Sequence, residues 1–254
     1  MIYAMSDIHG CLEPFEQALA TIDLSDGGSK LVLLGDYCDR GAKSLQVFKR
    51  IMELQQRFPG QVIALRGNHE EMLIENIDMM HDPDFARGWL LADSNLATTK
   101  SFLDAEQFGR VRHLLMRKQF AEAYRFAMEC MVGNHADVVS WVRGLPYYWE
   151  EASSRQGQVF VHAGIDEEAG DLWRVGTPVE WFTASMPDYL GKRFDLDVIA
   201  GHVSTDIVSG IPGYEGIYFD GASHYYIDGT VMRSGRVLVL AYDEATGTYS
   251  GPGL

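Results

Sequence analysis

A chain of 254 residues, 46% hydrophobic and 22% charged, is long enough to bury a full core and too apolar for wholesale disorder. Its formal net charge of -15 argues against a general binder of nucleic acid or of anionic membrane, which would present a basic surface. No apolar run approaches the ~20 residues of a membrane helix. The N-terminus lacks a signal-type apolar core, and Cys11, Cys38 and Cys130 are scattered without a C-x-x-C pair, so a reducing cytoplasm is expected.

The chain opens on an apolar strand over 2–5 that runs into Asp7-Ile8-His9. A helix is predicted over 12–22, with Phe15, Leu19 and Ile22 on one face, and Asp26-Gly27-Gly28 turns the chain into a second strand at 31–34. That strand ends in Gly35-Asp36-Tyr37-Cys38-Asp39-Arg40-Gly41. Ser44 suits the N-cap of a helix through Arg57, which Pro59-Gly60 breaks before a third strand at 62–65. The third strand ends in Arg66-Gly67-Asn68-His69-Glu70. Strand–helix–strand alternation favours parallel pairing and an α/β layered architecture.

From about 71 to 143 the apolar spacing turns helical, as in Val111, Leu114, Leu115 and in Phe120, Tyr124, Ala127, Met131. This predicts a helical insertion within a single domain over 1–254. After Gly144-Leu145-Pro146, strands are predicted at 158–161, 197–200, 216–219, 224–228 and 236–242. The first two of these end in His162-Ala163-Gly164 and Gly201-His202.

Short buried strands that end in glycine and polar residues are where sheet proteins place their chemistry. Asp7 and His9, two residues apart, can face one ion as their strand opens into a loop. Asp36 follows Gly35, where a carboxylate can bridge two cations; the plainer reading is a turn cap. Asn68 offers an amide oxygen, and the adjacent His69, diverging from it, is left to work as an acid. A lone histidine after a strand is more often a hydrogen-bonded core residue than a ligand. His162 and His202, added to the upstream clusters, reverse that reading. His81, His113, His135 and His224 lack the setting and carry no expected role. Cys38 stands too near Arg40 for the phosphate loop of a cysteine phosphatase, so no thiol nucleophile is expected. Trp141, Tyr147, Tyr148 and Trp149 can stack on a nucleobase or pack the insertion on the main body, packing being the commoner use.

Together, Asp7-x-His9, Gly35-Asp36-x-x-Asp39-Arg40-Gly41, Arg66-Gly67-Asn68-His69-Glu70, Val161-His162-Ala163-Gly164 and Gly201-His202 resemble the calcineurin-like metallophosphoesterases. The similarity is to the branch of serine/threonine phosphoprotein phosphatases and bacterial diadenosine tetraphosphate hydrolases. It implies a four-layer α/β/β/α sandwich with two divalent metals at one edge. One metal would be held by Asp7, His9 and Asp36, the other by Asp36, Asn68, His162 and His202. A thiolate-free O/N ligand set suits Mn²⁺, with Fe or Zn as alternatives, better than Ca²⁺. The resemblance further implies in-line attack on phosphorus by a metal-bridging hydroxide. Arg40 would grip the phosphoryl oxygens, and His69, oriented by Asp39, would protonate the leaving oxygen.

Family phosphatases supply a second phosphate-binding arginine after a tryptophan; Trp173-Arg174 is the nearest match, at tighter spacing, with Arg193 as fallback. Arg66 is expected to brace its loop through Glu70. The last block reads Gly201-His202-Val203-Ser204 instead of Gly-His-Thr-Pro, a departure that bears on substrate choice. The expected substrate is a phosphomonoester, phosphoserine or phosphothreonine of a protein being one candidate. The alternative is symmetrical cleavage of a bis(5'-nucleosyl)-tetraphosphate. Neither a membrane nor nucleic acid is an expected partner, and the sequence sets no oligomeric state.

Overall fold

In the computed structural model, which describes residues 1–93, 96–151 and 157–254, short strands alternate with helices. The strands are β1 (Ile2–Met5), β2 (Lys30–Leu33), β3 (Val62–Ala64), β4 (Tyr148–Glu151) and β5 (Gln158–Val161), then β6 (Asp197–Ala200), β7 (Tyr218–Phe219), β8 (His224–Tyr226), β9 (Leu240–Asp243) and β10 (Thr248–Ser250). They form two sheets, in the orders β10-β9-β1-β2-β3 and β4-β5-β6-β8-β7. Each sheet has a parallel centre, β1-β2-β3 or β5-β6-β8, and its remaining strands join antiparallel.

Side-chain alternation explains the layering. Ile2, Ala4 and Val32 meet Phe160 and Ile199 between the sheets, whereas Met5, Leu31 and Leu33 point outward to helices. Because both faces are covered, these strands read as continuous apolar runs. On the first sheet the cover comes from α1 (Leu12–Leu19), α2 (Ser44–Arg57) and the helices between β3 and β4. Those helices are α3 (Asn68–Asp78), α4 (Phe85–Ala92), α5 (Ala97–Phe102), α6 (Ala105–Met116), α7 (Phe120–Asn134) and α8 (Ala136–Arg143). On the second sheet, α9 (Trp173–Gly176), α10 (Val179–Ala184) and α11 (Thr205–Ser209) bury Trp173, Phe182 and Val208 against Val159, Val161 and Val198. A short α12 (Val231–Ser234) precedes β9. The architecture is the expected α/β/β/α sandwich.

Details differ from the sequence reading. Helix α1 stops at Leu19, and the segment to Ile22 continues as turns. Ser44 is the first helical residue rather than a cap; its hydroxyl meets that of Thr98 at 2.9 Å. Phe120, placed in the apolar stripe of α7, opens that helix and is 46% exposed. Strands β4 and β10 were not foreseen. Both lie at sheet edges and carry few fully buried residues, so hydrophobic patterning does not mark them. Trp141 packs against Tyr37 and Phe48, Trp149 against Phe160, and Tyr148 against Trp173, so these rings serve as packing.

Candidate metal centre

The parallel strands β1, β2, β5 and β6 and strand β3 all release their polar clusters at one edge. Beyond β1 and β2 the pairing continues through the loops: His9 N–H donates to the Asp36 carbonyl at 2.9 Å and Gly10 N–H to that of Tyr37 at 2.7 Å. The buried Glu70 carboxylate accepts from the N–H groups of Asp36 and Tyr37, each at 2.8 Å, and of Gly67 at 3.0 Å. The second sheet is tied in by His202 N–H, which donates to the Asp7 carboxylate at 3.0 Å. A Cβ at Gly67 would strike the Asp36 carboxylate, and one at Gly201 would strike Ser6 and Asp7, so both glycines are demanded by close approach.

Backbone strain gathers here. Asp7, His9, Asp36, Asp39, Arg40 and His202 all have φ between 47° and 65°. Non-glycine residues in this left-handed region are uncommon and concentrate at functional sites.

The side chains converge. His9 Nδ1 donates to the Cys38 carbonyl at 2.9 Å, and His162 Nδ1 to that of Leu34 at 2.8 Å, turning each Nε2 toward the cluster. His9 Nε2 is buried without a hydrogen-bond partner, 3.8 Å from Asp7 and 3.7 Å from Asp36. His162 Nε2 stands 3.0 Å from Asn68 Oδ1 and 3.3 Å from Asp36, and His202 Nδ1 stands 3.1 Å from the same Asn68 oxygen. Ligand atoms of His9, Asp36 and His69 lie within 4.8 Å of one another, as do those of Asp36, His162 and His202.

Turning the Asn68 amide over would let its nitrogen donate to Asp36, His162 and His202. With its oxygen inward, Asn68 instead aims lone pairs where two imidazoles and a carboxylate aim theirs. A cation would satisfy that arrangement and the orphaned His9 nitrogen alike, so the residues fit divalent metals.

Electrostatics agree. Burial alone would raise the Asp36 carboxyl, but the charges of His162, His69 and His9 hold it well below the usual range. Burial lowers His162, yet the Asp36 charge outweighs it and pushes the ring up to about 9. Burial, followed by the charge of Asp7, pushes Asp228 up to about 8. At His162 and Asp228 a proton thus takes up part of the negative charge that cations would neutralise.

His69 sits apart in role. Its Nδ1 bonds Asp39 at 2.7 Å, and its Nε2 faces Asp36 at 3.8 Å. Burial depresses its pKa, but the Asp39 hydrogen bond and the charges of Asp36 and Asp39 leave it raised. Arg40, directly after Asp39, is exposed, and its charge acts on His9 and Asp228.

Sequence reasoning missed three supporting residues. Thr98 donates to Asp39 at 2.6 Å and accepts from its N–H at 2.9 Å, and Asp93 anchors the Thr98 and Thr99 N–H groups at 3.1 and 2.7 Å. Nothing local marks Thr98, which arrives from α5. Asp228 was findable: Tyr225-Tyr226-Ile227 runs into Asp228-Gly229 as the other strands run into their clusters. Ala200 pairs with Tyr226, which sets Asp228 level with His202.

Other expectations are corrected. Arg174 is not brought to the cluster: it forms an ion pair with Glu150 and stacks on Trp173. Glu150 pairs with Val159, three residues before His162, roughly 10 Å along the strand. Arg193 donates to the Ala222 carbonyl instead. Arg66 does brace its loop, but through Glu71, Tyr147 and the last carbonyls of α8 rather than through Glu70. Cys38 is buried, and burial pushes its thiol well up, which suits no nucleophile.

Two packed sheets bring a convergent carboxylate, amide and imidazole set to their shared edge, a set that fits divalent metals. The model of the calcineurin-like phosphoesterase family matches residues 1–228, and the chain belongs to that family. A stretch of 86 residues is 40% identical to the symmetrical bis(5'-nucleosyl)-tetraphosphatase of Chromobacterium violaceum, covering 33% of this chain and 30% of that protein. Over 111 residues it is 33% identical to the serine/threonine-protein phosphatase 6 catalytic subunit of Drosophila melanogaster, covering 39% and 35%. The symmetrical tetraphosphatase of Nitrosococcus oceani matches at 26% identity over 179 residues, 69% of this chain and 46% of that one. The chain therefore spans less than half the length of these curated relatives. Among solved structures, a putative diadenosine tetraphosphatase superposes with a TM-score of 0.60 at 17% identity, covering 100% of this chain and 93% of the other, which establishes the shared fold. Among the described residues no helix is long and apolar enough to cross a membrane.

Proposed function

We propose that the protein is a dinuclear metal-dependent phosphatase that hydrolyses phosphomonoesters, including phosphoserine or phosphothreonine in a protein. The observation that carries this reading is the convergence of Asp7, His9, Asp36, Asn68, His162 and His202 beside the His69–Asp39 pair. Asp7, His9 and Asp36 would hold one ion, and Asp36, Asn68, His162 and His202 the other. The oxygen and nitrogen donors favour Mn²⁺, with Fe or Zn as alternatives. When bound, the ions supply Lewis acidity and a nucleophilic water at neutral pH.

The chain's own residues do the rest. Arg40 grips the non-bridging phosphoryl oxygens, since its planar fork matches their geometry. His69, whose hold on a proton the Asp39 hydrogen bond strengthens, delivers one from Nε2 to the leaving oxygen. Asp39 fixes the ring, and Thr98 fixes Asp39. The backbone N–H groups gathered by Glu70 hold the Asp36 loop rigid, so little reorganisation is left for the reaction itself. Three free cysteines and the absence of an apolar spanning helix among the described residues support work in the cytoplasm.

The test is metal analysis of the purified protein, with p-nitrophenyl phosphate, a phosphopeptide and diadenosine tetraphosphate assayed side by side before and after chelation. Turnover of the first two that is lost on chelation and restored by Mn²⁺ is expected. A second reading, symmetrical hydrolysis of a bis(5'-nucleosyl)-tetraphosphate, is favoured by the likeness to the Nitrosococcus oceani enzyme across 69% of this chain. It predicts nucleoside diphosphate products and little phosphopeptide turnover.

A further inference from the structure

The groove that opens at Asn68 is walled by one sign of charge. Along α3, Asn68, Glu71, Met72, Glu75, Asp78 and Met79 recur at the three- and four-residue steps of a single helix face. Phe85, Tyr147 and Glu180 of α10 stand across from them, and the space between holds about 800 Å³. Among the described residues no lysine or arginine lines it. Arg66 pairs with Glu71 at 3.1 Å and Arg143 bonds Asp78 at 2.9 Å from behind. Glu75 and Glu180 are exposed, and no ion pair covers either among the described residues.

Two properties of this groove choose its occupant. The first is charge. A tetraphosphate chain leaving the metal ligands would carry several negative charges between carboxylates, with no cation to receive them. A cationic side chain gains there, and its methylene stem can lie on Met72, Met79 and Phe85 while its head stays wet. The second is length. The 11 residues of α3 rise about 16 Å, the span of about five extended residues and far more than a small amine needs.

We propose that this groove receives the chain of a phosphorylated peptide that carries lysine or arginine within a few residues of the phosphorylated one. Its cationic group meets Glu75 and Glu180 while the phosphate lies beside Asn68. This rests on the phosphomonoesterase reading and names its substrate class.

The experiment measures kcat/KM of the Mn²⁺-loaded full-length protein on five substrates. They are p-nitrophenyl phosphate, a phosphoserine peptide flanked by lysines, the same peptide flanked by glutamates, phosphoethanolamine and diadenosine tetraphosphate. The lysine peptide is expected to exceed the glutamate peptide by about tenfold at low salt, with the ratio shrinking as salt rises. It should also exceed phosphoethanolamine, which cannot span the groove. In the Glu75→Gln/Glu180→Gln protein the ratio should fall toward unity, and in Glu75→Lys/Glu180→Lys it should invert. Equal rates on the two peptides, or a ratio untouched by either double substitution, overturn the proposal. So does phosphoethanolamine matching the lysine peptide, or diadenosine tetraphosphate surpassing it. Failure on all five substrates, p-nitrophenyl phosphate included, overturns the phosphomonoesterase reading beneath it.

Discussion

His9 and His224 are each 1% exposed, and each ring lies between two carboxylates, yet the two settings are chemically opposite. The nitrogens of His224 reach Asp220 and Glu167 at 2.6 Å each, so both ring donors and both acids are satisfied. Nε2 of His9 stands 3.7–3.8 Å from its carboxylates, too far for a hydrogen bond, and is left without a partner. Burial is countered at His224 by its two acids, which raise its pKa, whereas at His9 burial prevails and the ring is held below its ordinary value. A buried histidine among acids is thus a finished structural ion group when distances are short. It is an unfinished ligand when they are long.

The largest effect should come from removing the carboxylate that both ligand groups share. Asp36→Asn is expected to bring activity to background and metal content far below wild type, as read by elemental analysis. Metal retention in that protein would break the contrast, because Asp36 would then be no more a ligand than Asp220 is.

His69→Ala should cut turnover by ~10²–10⁴ with metal content near wild type. If the metals leave as well, His69 belongs among the ligands, consistent with its nearness to His9 and Asp36.

On the structural side, His224→Gln should cost about 3–5 kcal/mol in a denaturant melt, since Asp220 and Glu167 would face each other without a cation. Activity per folded molecule should persist. The His224 pKa is raised on folding, so its stabilisation is fully present below the unfolded value near 6.5 and is lost as pH climbs through the folded value. Wild type should therefore lose this increment above neutrality while His224→Gln does not.

Thr98→Val should have the smallest effect, about tenfold in kcat with KM and metal content little changed, because it loosens Asp39 behind His69. Rescue by Thr98→Ser separates this positioning role from packing.

The metal-ligand candidates were legible because each sits just past an apolar strand, where covalent neighbourhood and chemistry coincide. Asp228 obeyed that rule and was overlooked. Thr98 and Asp93 did not obey it: Thr98 reaches Asp39 from α5 and Asp93 holds the Thr98 N–H, and long-range pairing of this kind leaves no local spacing to read. Arg174 shows the reverse error. A Trp-Arg pair fitted the order of residues that the family resemblance implies, but the nearby Glu150 on an edge strand claimed the guanidinium. Parallel strands were inferable from strand–helix alternation. The closure of two sheets over Ile2, Phe160 and Ile199 was not, because an apolar run looks the same whichever partner covers it.

The left-handed turns at this edge have a consequence for what evolution or design can place there. Aspartate, asparagine and histidine are the side-chain-bearing residues that such a turn accepts most readily, and they are also donors to divalent transition metals. Asp7, His9, Asp36 and His202 meet both demands at once. Glycine would relax the chain and silence the chemistry; glutamate or a branched residue would keep bulk or charge and fight the backbone. The loops thus screen their own occupants, and drift at these positions is confined to a very small alphabet.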